Sequence, residues 1–199
     1  MTVYYVHVIV LDVKRVINRR EYHNRRRARP FDKSKAMHIV MHTHLKGAFH
    51  IRSIRTWLKG YVPLLAHKKG IRLYHFAIVS NHLHIVLRAG SKQALSIFLR
   101  VLAGVIARRV LRADRGRKAQ VKMWLKRPYS RVLSWGREFH NVLYYVHRNL
   151  LEASKTLKYE ARSGQFSRES TIKIGNSFRK HKFNIQSFLV SQPILPGFG

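Results

Sequence analysis

From Ala36 onward the chain alternates between apolar and polar positions. In AMHIVMHT, Met37, Ile39 and Met41 share one parity while His38, Val40 and His42 share the other, the period of two that marks a half-buried strand. The period then changes. In FHIRSIRTWLKGYVPLLAHKKG, Ile51, Ile54, Leu58, Val62 and Leu65 recur at helical spacing. Gly60 and Pro63 weaken this helix, so a kink or an early end is expected, and Gly70 closes it. IRLYHFAIV, with its β-branched and aromatic residues, reads as a second strand, and Ser80-Asn81 turns the chain back into NHLHIVLR, a third. Ser91 follows as an N-cap.

The next helix, KQALSIFLRVLAGVIARRVLRA, repeats Leu95, Phe98, Leu99, Leu102, Val105, Ile106 and Val110 as its buried stripe, flanked by Arg100, Arg108, Arg109 and Arg112. DRGRKAQVK is a basic loop. RPYSRVL, after Trp124, is a short fourth strand, and Ser134 is expected to cap WGREFHNVLYYVHRNLLEASK, whose apolar seam is Phe139, Val142, Val146 and Leu150. The order strand, helix, strand, strand, helix, strand, helix predicts an α+β, ferredoxin-like (RRM-like) antiparallel sheet. Helices cover one face, and a further C-terminal helix is added. By parity, the other face carries His38, His42, His82 and His84. The expected organisation is a basic N-terminal arm over 1–35, a domain over 36–155, and a basic, partly ordered tail over 156–199.

Composition then narrows the partner. Forty Lys and Arg against 8 Asp and Glu give a formal charge of +32, a surface that attracts polyanions and repels its own copies. Nucleic acid is the expected partner, through phosphate neutralisation. A membrane surface is disfavoured, because no basic helix has a clean apolar face with lipid-type aromatic flanks. The basic run KRVINRREYHNRRRAR, ending at Pro30, reads as a solvated arm that orders on phosphates. Cysteine is absent, which excludes disulfides, thiolate zinc sites and a Cys nucleophile. The opening VYYVHVIVLDVKR lacks the flanks of a secretory signal and the length of a membrane span, so it reads as an extra strand or an unstructured lead-in.

His82 and His84 sit two apart in a strand and therefore on one face. One reading is a pair of half-exposed polar side chains, which a chain with 13 histidines produces by chance. The other is two nitrogen ligands side by side. A metal would need more donors, from Asp, Glu, Asn, Gln, further His or the substrate, and acids are scarce here. Tyr145 and Asn149, four apart, lie on one flank of the last helix's seam. If the seam packs on the sheet, a phenol and a carboxamide come near the pair. Otherwise Tyr145 is half-buried packing with its hydroxyl in water.

At these residues the chain resembles the single-tyrosine HUH transposases, and among small insertion-sequence transposases the REP-associated tyrosine transposases. The resemblance is carried by Asn81-His82-Leu83-His84 and by Tyr145-Val146-His147-Arg148-Asn149. It extends from Arg29 to Ala153 through RPFD, the helix ending in ARRV, and W…RPYSRVL. It implies that His82, His84 and Asn149 hold a divalent ion, magnesium or manganese, and that Tyr145 is the nucleophile. The implied reaction cuts single-stranded DNA to a 5′-phosphotyrosine and a free 3′-hydroxyl. Tyr144, the rival nucleophile, lies on the other flank by the ~100° rotation per residue. Relatives often have Pro where this chain has Leu150, and Pro or Gly where it has Ser80; neither departure removes a reacting group. Arg25, Arg26, Arg27, Arg108, Arg109, Arg112, Arg127 and Arg131 are the expected DNA contacts, to single-stranded or hairpin DNA. A monomer or a homodimer, bacterial, cytoplasmic and associated with the nucleoid, fits the resemblance. Two other readings explain the charge. One is a catalytically inactive nucleic-acid-binding derivative of such a transposase. The other is a ribosomal-type RNA-binding protein, which leaves the ordered His pair and the Tyr–Asn helix without a purpose.

Overall fold

The computed structural model describes residues 28–113, 121–124 and 126–158. Within them lie β1 (Ala36–His42), α1 (Arg52–Lys68), β2 (Ile71–Ile78), β3 (His82–Ala89), α2 (Lys92–Leu111), β4 (Tyr129–Leu133) and α3 (Arg137–Ala153). The strands form one sheet in the order β2-β3-β1-β4, antiparallel throughout. The fold is therefore α+β, a ferredoxin-like sheet with α1 and α2 on one face and the tyrosine-bearing α3 added on the other. The opening segment, the run containing Arg25, Arg26 and Arg27, residues 114–120 of the basic loop and the tail from 159 lie outside the described residues.

The strand parities hold. Met37, Ile39 and Met41 of β1 and Leu83, Ile85 and Leu87 of β3 join one buried apolar cluster with Leu58, Val62, Phe98 and Leu102 of the two helices. Ser91 caps α2, its Oγ accepting from the Ala94 N–H at 3.0 Å. Val105 and Val110 are half-buried at the margin of the α2 stripe. Pro63 neither kinks α1 into two nor ends it; it is itself buried inside a helix that runs on to Lys68. Burial of the α1 stripe outweighs the one backbone bond a proline removes. Gly70 follows with φ +63°, where a side chain would be strained.

Several expectations are corrected. Ile51 does not belong to the buried stripe: it is the N-cap residue of α1 and 54% exposed. Ser134 does not cap α3 with its side chain. Gly136, at φ 90°, is the N-cap residue, and Glu138 reaches back to accept the Ser134 N–H at 2.8 Å. A carboxylate in the first turn also suits the positive end of the helix. The end of the basic arm is anchored rather than solvated. Arg29 is half-buried and its Nη1 donates to Ser130 Oγ on β4, Phe31 packs against the main core, and Asp32 accepts from the Ser34 N–H at 2.8 Å. Burial, with Arg127 nearby, holds the Arg29 guanidinium below its usual value.

The histidine face is not open. Phe139, Val142 and Val146 of α3 pack on Ala36, Ala77, Val86 and Leu133. A bulge in β2 adapts the sheet to this helix. Leu73 pairs with Leu87 and His75 with Val86, so the register slips at Tyr74. Leu73 and Phe76 keep to the α1–α2 core, while Tyr74 packs edge-on to Phe139 at 5.1 Å and His75 faces His147 at 5.3 Å, centroid to centroid.

Candidate active site

β1 and β3 are neighbours, and their register sets His42 opposite His82 and Val40 opposite His84. All four face histidines thereby fall on one patch. The rings of His82 and His84 meet edge-on with centroids 4.7 Å apart. His38 Nε2 lies 3.1 Å from His84 Nδ1, with the two rings stacked at 15°. His82 Nδ1 lies 2.9 Å from the Asn81 Oδ1, and Asn81 Nδ2 lies 3.0 Å from His42 Nε2. The hairpin turn bearing Asn81 is itself pinned. Its carbonyl accepts from Thr43 N–H at 2.9 Å, the Ser80 carbonyl accepts from Phe49 N–H at 3.0 Å, and buried Thr43 donates through Oγ1 to the Met123 carbonyl at 2.7 Å.

α3 brings Tyr145 to this patch. Its half-buried ring stands edge-on to His84, with centroids 5.4 Å apart and planes at 89°, and 6.2 Å from His38. Tyr144 turns elsewhere, packing against Leu151 and Leu157. Asn149, one helical turn beyond Tyr145, is 4% exposed and its Nδ2 donates to the Tyr145 carbonyl at 2.7 Å. The carboxamide is thus oriented by the helix that carries the tyrosine.

One member of the patch is strongly perturbed by its surroundings. His38 is 8% exposed, and burial, with the Arg131 guanidinium adding to it, pulls its imidazole down to about 4. It carries no charge at pH 7. Arg131 is held at the rim by Glu138, at 2.7 Å, and Arg127 is exposed. Arg108, Arg109 and Arg112 are exposed on or just beyond α2, the layer on the far side of the sheet. Arg109 lies over the Trp57 ring at 4.8 Å. The described arginines expected to contact DNA therefore occupy two sides of the molecule.

Among the described residues, no group of three or more His, Cys, Asp or Glu is placed to hold a metal ion. A divalent ion here would rest on two imidazoles and be completed by an amide oxygen or by substrate. The donor chemistry fits. Both β3 imidazoles are held at Nδ1, as metal-ligating histidines are by their outer partners, and neutral nitrogen and amide donors leave the ion free to accept phosphate oxygens. Two features escape a reading of the sequence: the Asn81 bridge and the His38–His84 bond. Parity put His38 and His42 on the correct face, but the pairing of β1 with β3 makes them partners of the β3 histidines.

Fold and site together define a ferredoxin-like domain whose polar chemistry lies between its sheet and a C-terminal tyrosine helix. Residues 33–149, more than half of the chain, match the family model described as "Transposase IS200 like", and the chain belongs to that transposase family. Among solved structures it is similar to a REP-associated tyrosine transposase bound to a REP hairpin, with TM-score 0.50 and 10% identity, over 63% of this chain and 72% of that one. This likeness shows the fold. A putative transposase from Deinococcus radiodurans R1 also aligns, with TM-score 0.41 and 17% identity, over 62% of this chain and 96% of that one. No curated protein matches the chain in sequence. Among the described residues, no helix is long and apolar enough to cross a membrane.

Proposed function

We propose that the protein nicks and rejoins single-stranded or hairpin DNA through Tyr145. The observation that carries this reading is the convergence of Tyr145 with His84, and through it His82, on one sheet face. Membership of a transposase family supports it, as does a fold shared with a protein solved on a DNA hairpin. The Tyr145 oxygen, having lost its proton to solvent, attacks a backbone phosphorus. A phosphotyrosyl O–P bond forms while the P–O3′ bond breaks, and the departing 3′ oxygen takes up a proton. Attack by a 3′-hydroxyl on the phosphotyrosine reverses the step, so no nucleoside triphosphate is consumed.

His82, His84 and Asn149 would hold a magnesium or manganese ion, which when bound supplies Lewis-acid polarisation of a phosphate oxygen. The edge-on packing of Tyr145 on His84 limits where the phenol can point, which is the positioning such a displacement needs. Arg127 and Arg131 border the same sheet edge and suit phosphates near the site. Arg108, Arg109 and Arg112 would engage a different stretch of the strand or hairpin, since the sheet lies between. The number of such contacts sets the salt dependence of binding.

The test is incubation with hairpin-bearing single-stranded DNA and manganese, followed by denaturing electrophoresis. A covalent protein–DNA adduct is expected from the wild type and none from Tyr145→Phe, with DNA binding retained by both. No adduct from the wild type, with binding intact, would leave the inactive nucleic-acid-binding reading in its place.

A further inference from the structure

We propose that the β1 histidines are positioning residues. His38 directly, and His42 through Asn81, set the tautomers of His84 and His82 so that both present an unprotonated Nε2 to a divalent cation. The inference rests on the metal reading of the β3 pair given above and deepens it by assigning the groups that prepare the ligands.

The carboxamide settles one half. An amide oxygen only accepts and an amide nitrogen only donates. With His82 Nδ1 at 2.9 Å from Asn81 Oδ1, the proton sits on Nδ1 and the lone pair falls on Nε2. With Asn81 Nδ2 at 3.0 Å from His42 Nε2, His42 accepts there and carries its own proton on Nδ1. The turn that presents Asn81 is fixed by the Thr43 and Phe49 amides, so the carboxamide is a rigid spacer between two imidazoles that face each other in the β1–β3 register.

The other half is a direct imidazole–imidazole bond, His38 Nε2 to His84 Nδ1 at 3.1 Å. If His84 donates, its lone pair lies on Nε2. If His38 donated instead, a proton would occupy His84 Nε2 and block ligation. Metal-ligating histidines usually donate their second N–H to a carboxylate or a carbonyl. This chain has 8 acids among 199 residues, and an amide and an imidazole in that role add no negative charge of their own to the ligands.

The test uses the full chain labelled with ¹⁵N-histidine and freed of metal, with long-range ¹H–¹⁵N spectra reporting each ring's tautomer. Wild-type His82 and His84 should both be protonated at Nδ1. Asn81→Ala should move His82 toward the Nε2–H form and leave His84 alone. His38→Phe should do the reverse. Asn81→Asp and His38→Gln, which keep an accepting oxygen, should restore the wild-type form. Manganese affinity followed by electron paramagnetic resonance should fall ~10–100-fold in Asn81→Ala and His38→Phe and recover in the conservative variants. Thermal melts identify any variant that fails to fold, and the Asp and Gln pair then decides the matter. Wild-type manganese binding with tautomers and affinities unchanged in all variants would overturn the inference alone. Wild-type His82 and His84 resonances indifferent to manganese would overturn the metal reading, and the inference with it.

Discussion

Toward α1 and α2 the sheet presents Met37, Ile39, Met41, Leu83, Ile85 and Leu87, all buried among aliphatic and aromatic side chains. Toward α3 the sheet presents Ala36, Ala77 and Val86 interleaved with buried His38, His75 and His84. The first face is wholly apolar, so its contribution scales with area removed from water. The second places small residues under the helix and polar rings beside it, and two of those rings, His38 and His84, are hydrogen-bonded to each other. One sheet thus separates stability from chemistry, because alternate residues of a strand face opposite ways.

The largest expected effect comes from truncating the apolar face. Phe98, fully buried on α2, should cost about 3–5 kcal/mol when changed to Ala, from lost transfer energy and the cavity left behind. Urea unfolding measures it. A loss below about 1 kcal/mol would mean that the apolar face does not dominate stability.

The second effect belongs to the polar face and depends on pH. Burial, with Arg131 nearby, pulls His38 down to about 4 in the folded chain, against an ordinary imidazole value of 6.5, so between these values the unfolded chain binds the extra proton. The stabilisation from a neutral His38 is fully present above pH 6.5. It is lost progressively as pH falls to about 4, by about 3 kcal/mol in all. Stability curves of the metal-free wild type and of His38→Gln should therefore converge or cross as pH drops through this window, the variant's curve being the flatter. Parallel curves would contradict the neutral buried state.

The smallest effect lies far from the patch. Ser91→Ala removes the α2 cap and should cost about 1 kcal/mol, with adduct yield per folded molecule unchanged. A selective loss of adduct in this variant would couple the two faces that the structure keeps apart.

Local pattern carried much of this architecture. Period-two alternation assigned the faces of β1 and β3, and the Ser80-Asn81 turn and the Ser91 cap are short-range chemistry that needs no partner strand. What escaped was non-local or local in a competing way. The β2 bulge at Tyr74 follows from pairing with β3 and fitting α3. Ile51 kept the helical spacing but fell just before the first turn. Ser134 had the chemistry of a cap, yet Gly136 could adopt the positive φ and Glu138 could reach back, so the helix began later. The meeting of His38 with His84 requires knowing that β1 sits beside β3. The place of Tyr145 required α3 to cross the histidine face.

The proposed reacting phenol is Tyr145, and not its neighbour. Mass spectrometry of the peptide that remains attached to DNA after digestion of the wild-type adduct tests it most directly. A nucleotide phosphate on Tyr145 alone is expected. A phosphate on Tyr144, which packs against Leu151 and Leu157, or on any residue remote from the His82–His84 patch, would contradict it.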